Sequence, residues 1–200
     1  MAKGKSGPGK KGHGSSSGAK GSGYKASVAD TARFLEAHRE LLRPIKVYTG
    51  LGYLRVNELL RDGFDAFAQK HGKAAAKDVL AKAQDVQRAV NRTSEAGHSF
   101  KGDVLRGQSA SSEQIAHWIK RGEFTNRSLL STTVAKGVAN NFTGNVVLHL
   151  KQVSGVAIAG VSSFKHEKEV LIPAGRRFKI TKTKTRTAGK VTHIYARQIT

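Results

Sequence analysis

Two glutamates stand two residues apart immediately before an apolar run: Glu167, Lys168 and Glu169 are followed by Val-Leu-Ile-Pro at residues 170–173. The apolar run is typical of a buried strand. Side chains alternate between the two faces of a strand, so positions i and i+2 share a face. If the strand includes both glutamates, we expect their carboxylates to address one site. Such carboxylates can stabilise a positive charge that develops in a reaction, as they do in glycosidases.

Two further apolar runs end in residues that could take part in chemistry. Residues 104–107 (Val-Leu-Arg-Gly) contain Arg106, and residues 130–133 (Leu-Ser-Thr-Thr) end in hydroxyl groups. Arginine, then Ser-Thr-Thr, then Glu-x-Glu, each at a predicted strand edge and in that order, resembles the mono-ADP-ribosyltransferase superfamily of the R-S-E type. The enzymes that it resembles most are bacterial exotoxins and phage proteins that modify arginine.

The resemblance extends from about residue 45 to residue 180 and includes further motifs. Residues 48–53 (Tyr-Thr-Gly-Leu-Gly-Tyr) and 56–61 (Val-Asn-Glu-Leu-Leu-Arg) are similar to the Y-T-G…Y…I-N…L-R segment of the family. Residues 124–133 are similar to its F-x-x-x-x-F-L-S-T-S strand, with Thr133 in place of the last serine. Phe142 stands where the family often has an aromatic ring that packs on nicotinamide.

The resemblance implies a reaction in which ADP-ribose moves from NAD to an acceptor and nicotinamide leaves. Glu169 is implied as the catalytic glutamate, which stabilises positive charge on the ribose and holds a ribose hydroxyl. Glu167 is implied as the acceptor-side residue, because a carboxylate suits a planar guanidinium. Family members with glutamine at this position modify asparagine, cysteine or guanine, whereas those with glutamate mostly modify arginine. We therefore expect arginine as the acceptor.

The resemblance also implies which residues hold NAD. Arg106 is expected to bind the pyrophosphate, since a guanidinium binds phosphate oxygens bidentately. Ser131 is expected to hydrogen-bond Glu169, and Gly107 to let the backbone approach the nicotinamide amide because it lacks a Cβ. The full set expected at NAD is Tyr53, Asn57, Arg106, Gly107, Ser131, Thr132, Thr133, Phe142 and Glu169. No metal is expected, because the scattered histidines form no H-x-x-x-H pattern and cysteine is absent.

The segment before the two glutamates is expected to meet the protein substrate. Phe164 lies where arginine-modifying relatives often have an aromatic residue in the loop that faces the acceptor. The chain departs from the family at one point. Some relatives have a second arginine shortly after the Phe142 position, and Asn145 stands near it here. A second phosphate contact is therefore expected from elsewhere, from Lys136 or Arg55.

Hydrophobic periodicity predicts helices first and strands afterwards. A helix is expected between a cap at Ser27 and a stop at Pro44. Further helices are expected over about residues 53–61, 74–90 and 111–119, and strands over 145–153, 156–161, 170–172, 177–185 and 191–198. The fold class is therefore α+β. The resemblance implies the ADP-ribosyltransferase fold, with N-terminal helices packed on a split β-sandwich core and an NAD cleft between two sheets.

The chain carries a formal net charge of +21 and has no cysteine. Residues 1–25 are dominated by Gly, Ser and Lys and are predicted to be a disordered basic arm, either a nucleic-acid contact or only a solubilising tail. Residues 26–200 are predicted to be one transferase domain. A basic surface attracts polyanions and acidic protein surfaces. The expected partner is a protein with an accessible arginine, for which the charge suggests nucleic-acid-associated machinery.

Localisation is predicted from what the sequence lacks. No apolar run approaches the ~18–20 residues that span a bilayer, and the start lacks the apolar region of a secretory signal. We therefore expect a cytoplasmic protein, of a host cell if it is phage-encoded or delivered, and a monomer.

Two alternative functions stay open at this point. One is a transferase that modifies a nucleic-acid base, or that hydrolyses NAD. The other is a non-enzymatic, basic protein on a decayed transferase fold, either binding nucleic acid or packaged in a particle.

Overall fold

The computed structural model describes residues 18–135, 137, 144–186 and 191–199. Its first part is helical: α1 (Gly18–Ala37), α2 (Arg39–Val47), a π-helical turn (Tyr48–Gly52), α3 (Tyr53–Asp62), α4 (Phe64–His71) and α5 (Lys73–Glu95). The second part is rich in strands. It comprises β1 (Phe100–Gln108), α6 (Ser112–Arg121), β2 (Glu123–Thr125), β3 (Leu130–Thr133), β4 (Val146–Ala157), a 3₁₀ turn (Lys165–Glu167), β5 (Glu169–Ile172), β6 (Arg177–Arg186) and β7 (Val191–Gln198).

The long helix α5 organises the helical part. It buries small and β-branched side chains at spacings of three and four, among them Ala76, Val79, Ala83 and Val86, and these face α2, α3 and α4. Glycines separate these neighbours. Gly63 and Gly72 have φ of 87° and 88°, a left-handed conformation that glycine adopts without steric cost.

The first helix differs from its prediction at both ends. It begins at Gly18 rather than at Ser27, so residues 18–25 of the predicted disordered arm are helical. It ends at a break at His38, where φ is −119° and ψ is 76°. Pro44, the predicted stop, lies inside α2, whose Leu41 and Ile45 are buried in the helical core. This burial offsets the one backbone hydrogen bond that a proline removes.

The seven strands form one hydrogen-bonded network in the order β1-β3-β5-β4-β7-β6-β2, with an additional pairing between β1 and β4. The strands β1, β3, β5 and β4 therefore close into a ring, and β7, β6 and β2 extend from β4. The α+β prediction is confirmed, with the two parts of the split core joined through β4. The separate strand expected over 156–161 is wrong, because β4 runs continuously to Ala157 and a turn follows.

The short strand β5 lies between two hydrophobic clusters. Leu171 packs with the helices, in a cluster that includes Leu35, Val86 and Ile158. Val170 and Ile172 face the opposite way, into a cluster with Leu148, Phe178 and Ile194. Because both faces of β5 are buried, the strand is held rigidly, and the residue that begins it is Glu169. Among the described helices, none is long and apolar enough to cross a membrane.

Candidate active site

Glu169 begins β5 and is the most deeply buried carboxylate in the described part of the chain, with 5% of its surface exposed. Its backbone is fixed on two sides. It lies directly across from Thr133 on β3, and its carbonyl oxygen accepts a hydrogen bond of 3.1 Å from Ile158 N–H. The sequence predicted this position for a catalytic carboxylate, and the structure gives it a preorganised environment.

Hydroxyl groups and a guanidinium surround the Glu169 carboxylate. Ser162 donates a hydrogen bond of 3.3 Å to Oε2. Burial raises the pKa of Glu169 most strongly, and the neighbouring Glu167 charge adds to this. Hydrogen bonds from Ser131 and Ser162, and the positive charge of Arg106, lower the pKa in opposition. Hydrogen bonds and positive charges of this kind favour the charged form of a buried carboxylate.

Arg106 reaches the site from β1. Its Nη1 donates to the carbonyl oxygen of Ser131 at 2.5 Å, and its Nε donates to Gln108 Oε1 at 3.1 Å. Burial lowers the pKa of the Arg106 guanidinium, whereas nearby Tyr48 and Glu169 raise it. The predicted convergence of Arg106, Ser131 and Glu169 is therefore present in the structure.

The three hydroxyl residues of β3 do different things. Ser131 contacts Glu169, and Thr133 donates to the carbonyl oxygen of Glu167 at 2.6 Å. Thr132 lies on the opposite face of the strand, where it is 3% exposed and donates to the carbonyl oxygen of Val170 at 2.6 Å. The structure thus places Thr132, which was expected at NAD, on the face of β3 opposite Ser131 and Thr133.

Glu167 is not part of the strand that holds Glu169. It ends the 3₁₀ turn, and Lys168 between the two glutamates has a φ of 49°. The strand alternation that was expected to bring the two carboxylates to one face is therefore wrong. They are still close enough for the charge of Glu167 to raise the pKa of Glu169. Phe164 opens the same turn, and 43% of its surface is exposed.

Helix α3 and the π-helical turn contribute Asn57 and Tyr48 to the site. Asn57 Nδ2 donates to the Tyr48 hydroxyl at 3.0 Å, and both residues are buried. Burial raises the pKa of Tyr48 to about 12, and Arg106 and Glu169 act on it electrostatically. The predicted site residue Tyr53 is 43% exposed, and Gly107 is buried.

Several residues of the site differ from those expected. Ser162 was missed, because a serine in a Val-Ser-Ser-Phe segment is more typical of a turn. Tyr48 belongs to the motif at residues 48–53, but the sequence indicates no role for it at the site. Arg61 lies close enough to Arg106 for its positive charge to lower the pKa of that guanidinium, a smaller effect than that of burial. Phe142 and Lys136 lie outside the described residues. A group of three or more metal-ligating side chains is not found where the chain is described.

Known proteins resemble this chain in sequence and in fold. The profile of the family described as "NAD:arginine ADP-ribosyltransferase" matches residues 36–199. A Mycobacterium avium (strain 104) protein, Mav, whose name places it among the NAD(+)–arginine ADP-ribosyltransferases, is 27% identical over 133 residues. That match covers 66% of this chain and 14% of Mav, so the chain spans only a small part of that relative's length.

Solved structures share the fold. The ADP-ribosyltransferase HopU1 of Pseudomonas syringae pv. Tomato DC3000 has a TM-score of 0.65 at 21% identity, covering 84% of this chain and 82% of HopU1. The ADP-ribosyltransferase Vis in complex with agmatine, a toxin from Vibrio splendidus, has a TM-score of 0.63 at 21% identity, covering 90% and 86% of the two chains. Because the matched residues 36–199 make up most of the chain, this protein belongs to the NAD:arginine ADP-ribosyltransferase family.

Proposed function

We propose that this chain transfers ADP-ribose from NAD to an arginine side chain of a target protein and releases nicotinamide. The observation that carries the proposal is the buried Glu169 carboxylate, held by Ser131, Ser162 and Arg106 beside the half-buried Glu167. The buried Glu169 would then provide the catalytic charge, and the more exposed Glu167 beside it would provide the charge that faces the acceptor. The two carboxylates are suited to different roles, as their environments set them apart.

The residues present fit NAD. Its pyrophosphate carries negative charge, and Arg106 with the nearby Arg61 supplies guanidinium groups to bind it. Asn57 Oδ1 is buried and has no hydrogen-bond partner among the described residues, so it can accept a hydrogen bond from an amide or amine of the nucleotide. Bound NAD supplies the ribose carbon that is attacked and the nicotinamide that leaves.

Glu169 stabilises the positive charge that develops on the ribose as nicotinamide leaves. A charge that is fixed in a water-poor site stabilises developing opposite charge far more than it would in water. Ser131 and Ser162 hold the carboxylate in one orientation, so little reorganisation is needed during the reaction. Glu169 must be ionised for this role.

Glu167 binds the acceptor. Its carboxylate accepts hydrogen bonds from the guanidinium, and a guanidinium nitrogen then forms a bond to the ribose carbon while the bond from that carbon to nicotinamide breaks. Glu167 takes up the proton that the guanidinium loses. The exposed Phe164 in the same turn offers an aromatic face on which a guanidinium can stack. The agmatine complex of Vis, with its guanidine ligand, supports this class of acceptor.

The substitution Glu167→Gln tests the acceptor assignment. We expect transfer to agmatine to fall by about 100-fold, while NAD hydrolysis in the absence of acceptor falls by less than about threefold, because Gln keeps the shape but not the charge. The matched control is Glu95→Gln, at an exposed residue that ends α5. A variant that loses transfer and hydrolysis equally would contradict an acceptor role for Glu167 and favour a general role in catalysis.

A further inference from the structure

One face of the strands β4, β7 and β6 carries rings and cations in register. On β7, Ile194 and Ala196 point into the core with 0% and 1% exposure. The alternate residues His193 and Tyr195 are partly exposed and lie on the opposite face, together with the exposed Arg197. This outer face is therefore the side of the strands that points away from the core.

Three rings of this face form a ring column across two strands, in which His149 stacks on Tyr195 and His193 is tilted against His149. The rings of His149 on β4 and Tyr195 on β7 have centroids 4.2 Å apart and an interplanar angle of 13°. His149 Nε2 also lies 2.9 Å from His193 Nδ1. Burial lowers the pKa of His149, with a smaller effect of His193 in the same direction. Burial therefore favours the uncharged form of His149, whose ring stacks on Tyr195.

Cations flank the rings on the neighbouring strands. On β6, Lys182 is paired with Tyr195 of β7, and Lys184 is paired with His193. In the next row, Lys179 and Lys151 lie on either side of Arg197. Rows on one face of a strand are ~6.6 Å apart, a distance comparable to the spacing of phosphates along an extended single strand.

Acidic side chains are found only at the edges of this grid, among the described residues. Glu123 lies across from Lys179 on the outermost strand β2, and it is ion-paired with Arg177 at 2.9 Å. Asp103 lies at the opposite edge, on β1, where it accepts a hydrogen bond of 3.3 Å from Gln152 N–H. The centre of the grid is therefore positively charged.

We propose that this outer face, which contains none of the residues assigned to catalysis, binds single-stranded nucleic acid. Bases stack on aromatic rings whatever their sequence, and a cationic surface follows the phosphates. The net charge of +21 adds attraction at long range. A single strand fits better than a duplex, because only unpaired bases can extend the ring column. An acidic protein surface would use the cations but leave the rings without a role.

The test is fluorescence anisotropy of a labelled 20-nucleotide oligouridylate, with the full chain at about 50 mM and 200 mM salt. The double variant Lys182→Glu/Lys184→Glu is compared with the charge-matched control Lys73→Glu/Lys77→Glu on the exposed side of α5. We expect affinity to fall about tenfold or more in the sheet variant, with a smaller salt slope, and about twofold or less in the control. Equal losses in both variants would show general electrostatic attraction and overturn the proposal.

A second variant pair tests the rings without changing the charge. Tyr195→Ala is expected to weaken binding about fivefold at an unchanged salt slope, and Tyr195→Phe to bind like the parent, because stacking requires only the ring. Circular dichroism melts check that each variant is folded. A duplex bound as tightly as the single strand, or polyglutamate bound with the same sensitivity to Lys182 and Lys184, would overturn the proposal. Nicotinamide release, which uses other residues, is expected to be unchanged in all these variants.

Discussion

Ser162 donates a hydrogen bond of 3.3 Å to Glu169 Oε2, and the same hydroxyl accepts one of 3.1 Å from Phe164 N–H. Ser162 is 3% exposed, so both bonds are protected from water. A single buried hydroxyl therefore connects the proposed catalytic carboxylate to the turn that carries Phe164 and Glu167.

Ser162→Ala is expected to lower kcat about tenfold with little effect on the KM for NAD, since a hydrogen bond to a charged group contributes about 1.5–3 kcal/mol. The bond lowers the pKa of Glu169, so its loss should also move the acidic limb of the pH–rate profile to higher pH. The neighbouring, exposed Ser163→Ala is the control and should change neither quantity. An unshifted acidic limb in Ser162→Ala would argue against a contact between Ser162 and the reacting carboxylate.

Arg61 is expected to contribute to NAD binding together with Arg106. Its positive charge lowers the pKa of Arg106, so the two guanidinium groups lie near each other and together match the charge of a pyrophosphate. Arg61→Gln should raise the KM for NAD about fivefold, more at low salt than at high salt, with kcat nearly unchanged. Arg55→Gln, on the same helix, is the control. If Arg55→Gln has the larger effect, the expectation from sequence is correct and the assignment to Arg61 is wrong.

The burial of Glu169 is expected to lower the free energy of unfolding at neutral pH. Because its folded-state pKa is raised above the ordinary value of 4.5, the folded protein binds the proton more tightly than the unfolded chain. Stability is thus greatest while the group is protonated and falls as pH rises from that ordinary value through the raised pKa. Glu169→Gln should therefore raise Tm by a few degrees at pH 7, since ~1 kcal/mol shifts Tm by about 2–4 °C at this size.

The same difference in Tm should disappear below about pH 4.5, where Glu169 is protonated in both states. Differential scanning calorimetry of the two proteins from pH 4 to pH 8 measures it. The exposed Glu36→Gln is the control and should follow the parent at every pH. A Glu169→Gln protein that is less stable than the parent at pH 7 would mean that the hydrogen bonds from Ser131 and Ser162 outweigh the cost of burial.

Gly155 is expected to be required for the pairing of β4 with β5. A Cβ at this position would lie 2.9 Å from the backbone oxygen of Leu171 and 2.9 Å from Val170 Cγ1. Backbone of a strand buried on both faces cannot move aside, so Gly155→Ala should destabilise the fold by about 2–3 kcal/mol, measured by urea unfolding. Gly137→Ala, where a Cβ would meet no atom within 4 Å, is the control. Equal unfolding midpoints would show that β4 and β5 adjust more easily than their burial implies.

The arrangement of Arg106, Ser131 and Glu169 could be predicted because each residue adjoins a short apolar run of the sequence, and their order matches a known family. The placement of Glu167 outside the strand that holds Glu169 could not be predicted. Because Lys168 has a left-handed conformation, β5 begins only at Glu169 and Glu167 remains in the 3₁₀ turn. Hydrophobic alternation gives no signal for a single left-handed residue.

The break at His38 and the role of Ser162 were also hidden from the sequence. Pro44 is the strongest local signal for a helix end in that segment. The helix nevertheless continues beyond Pro44, because the burial of Ile45 stabilises it. A serine beside a turn has many local uses. Only its distance from Glu169 shows which one applies, and that distance is set by the tertiary contact between the turn after β4 and the start of β5.

The most direct test of the proposed function is nicotinamide release from NAD by the full chain, with and without agmatine, beside Glu169→Gln. The predicted result is release that increases with agmatine, appears together with ADP-ribosylated agmatine, and falls at least about 1,000-fold in Glu169→Gln. A folded parent protein that releases no nicotinamide in either condition, or a Glu169→Gln variant that is as active as the parent, would contradict the account.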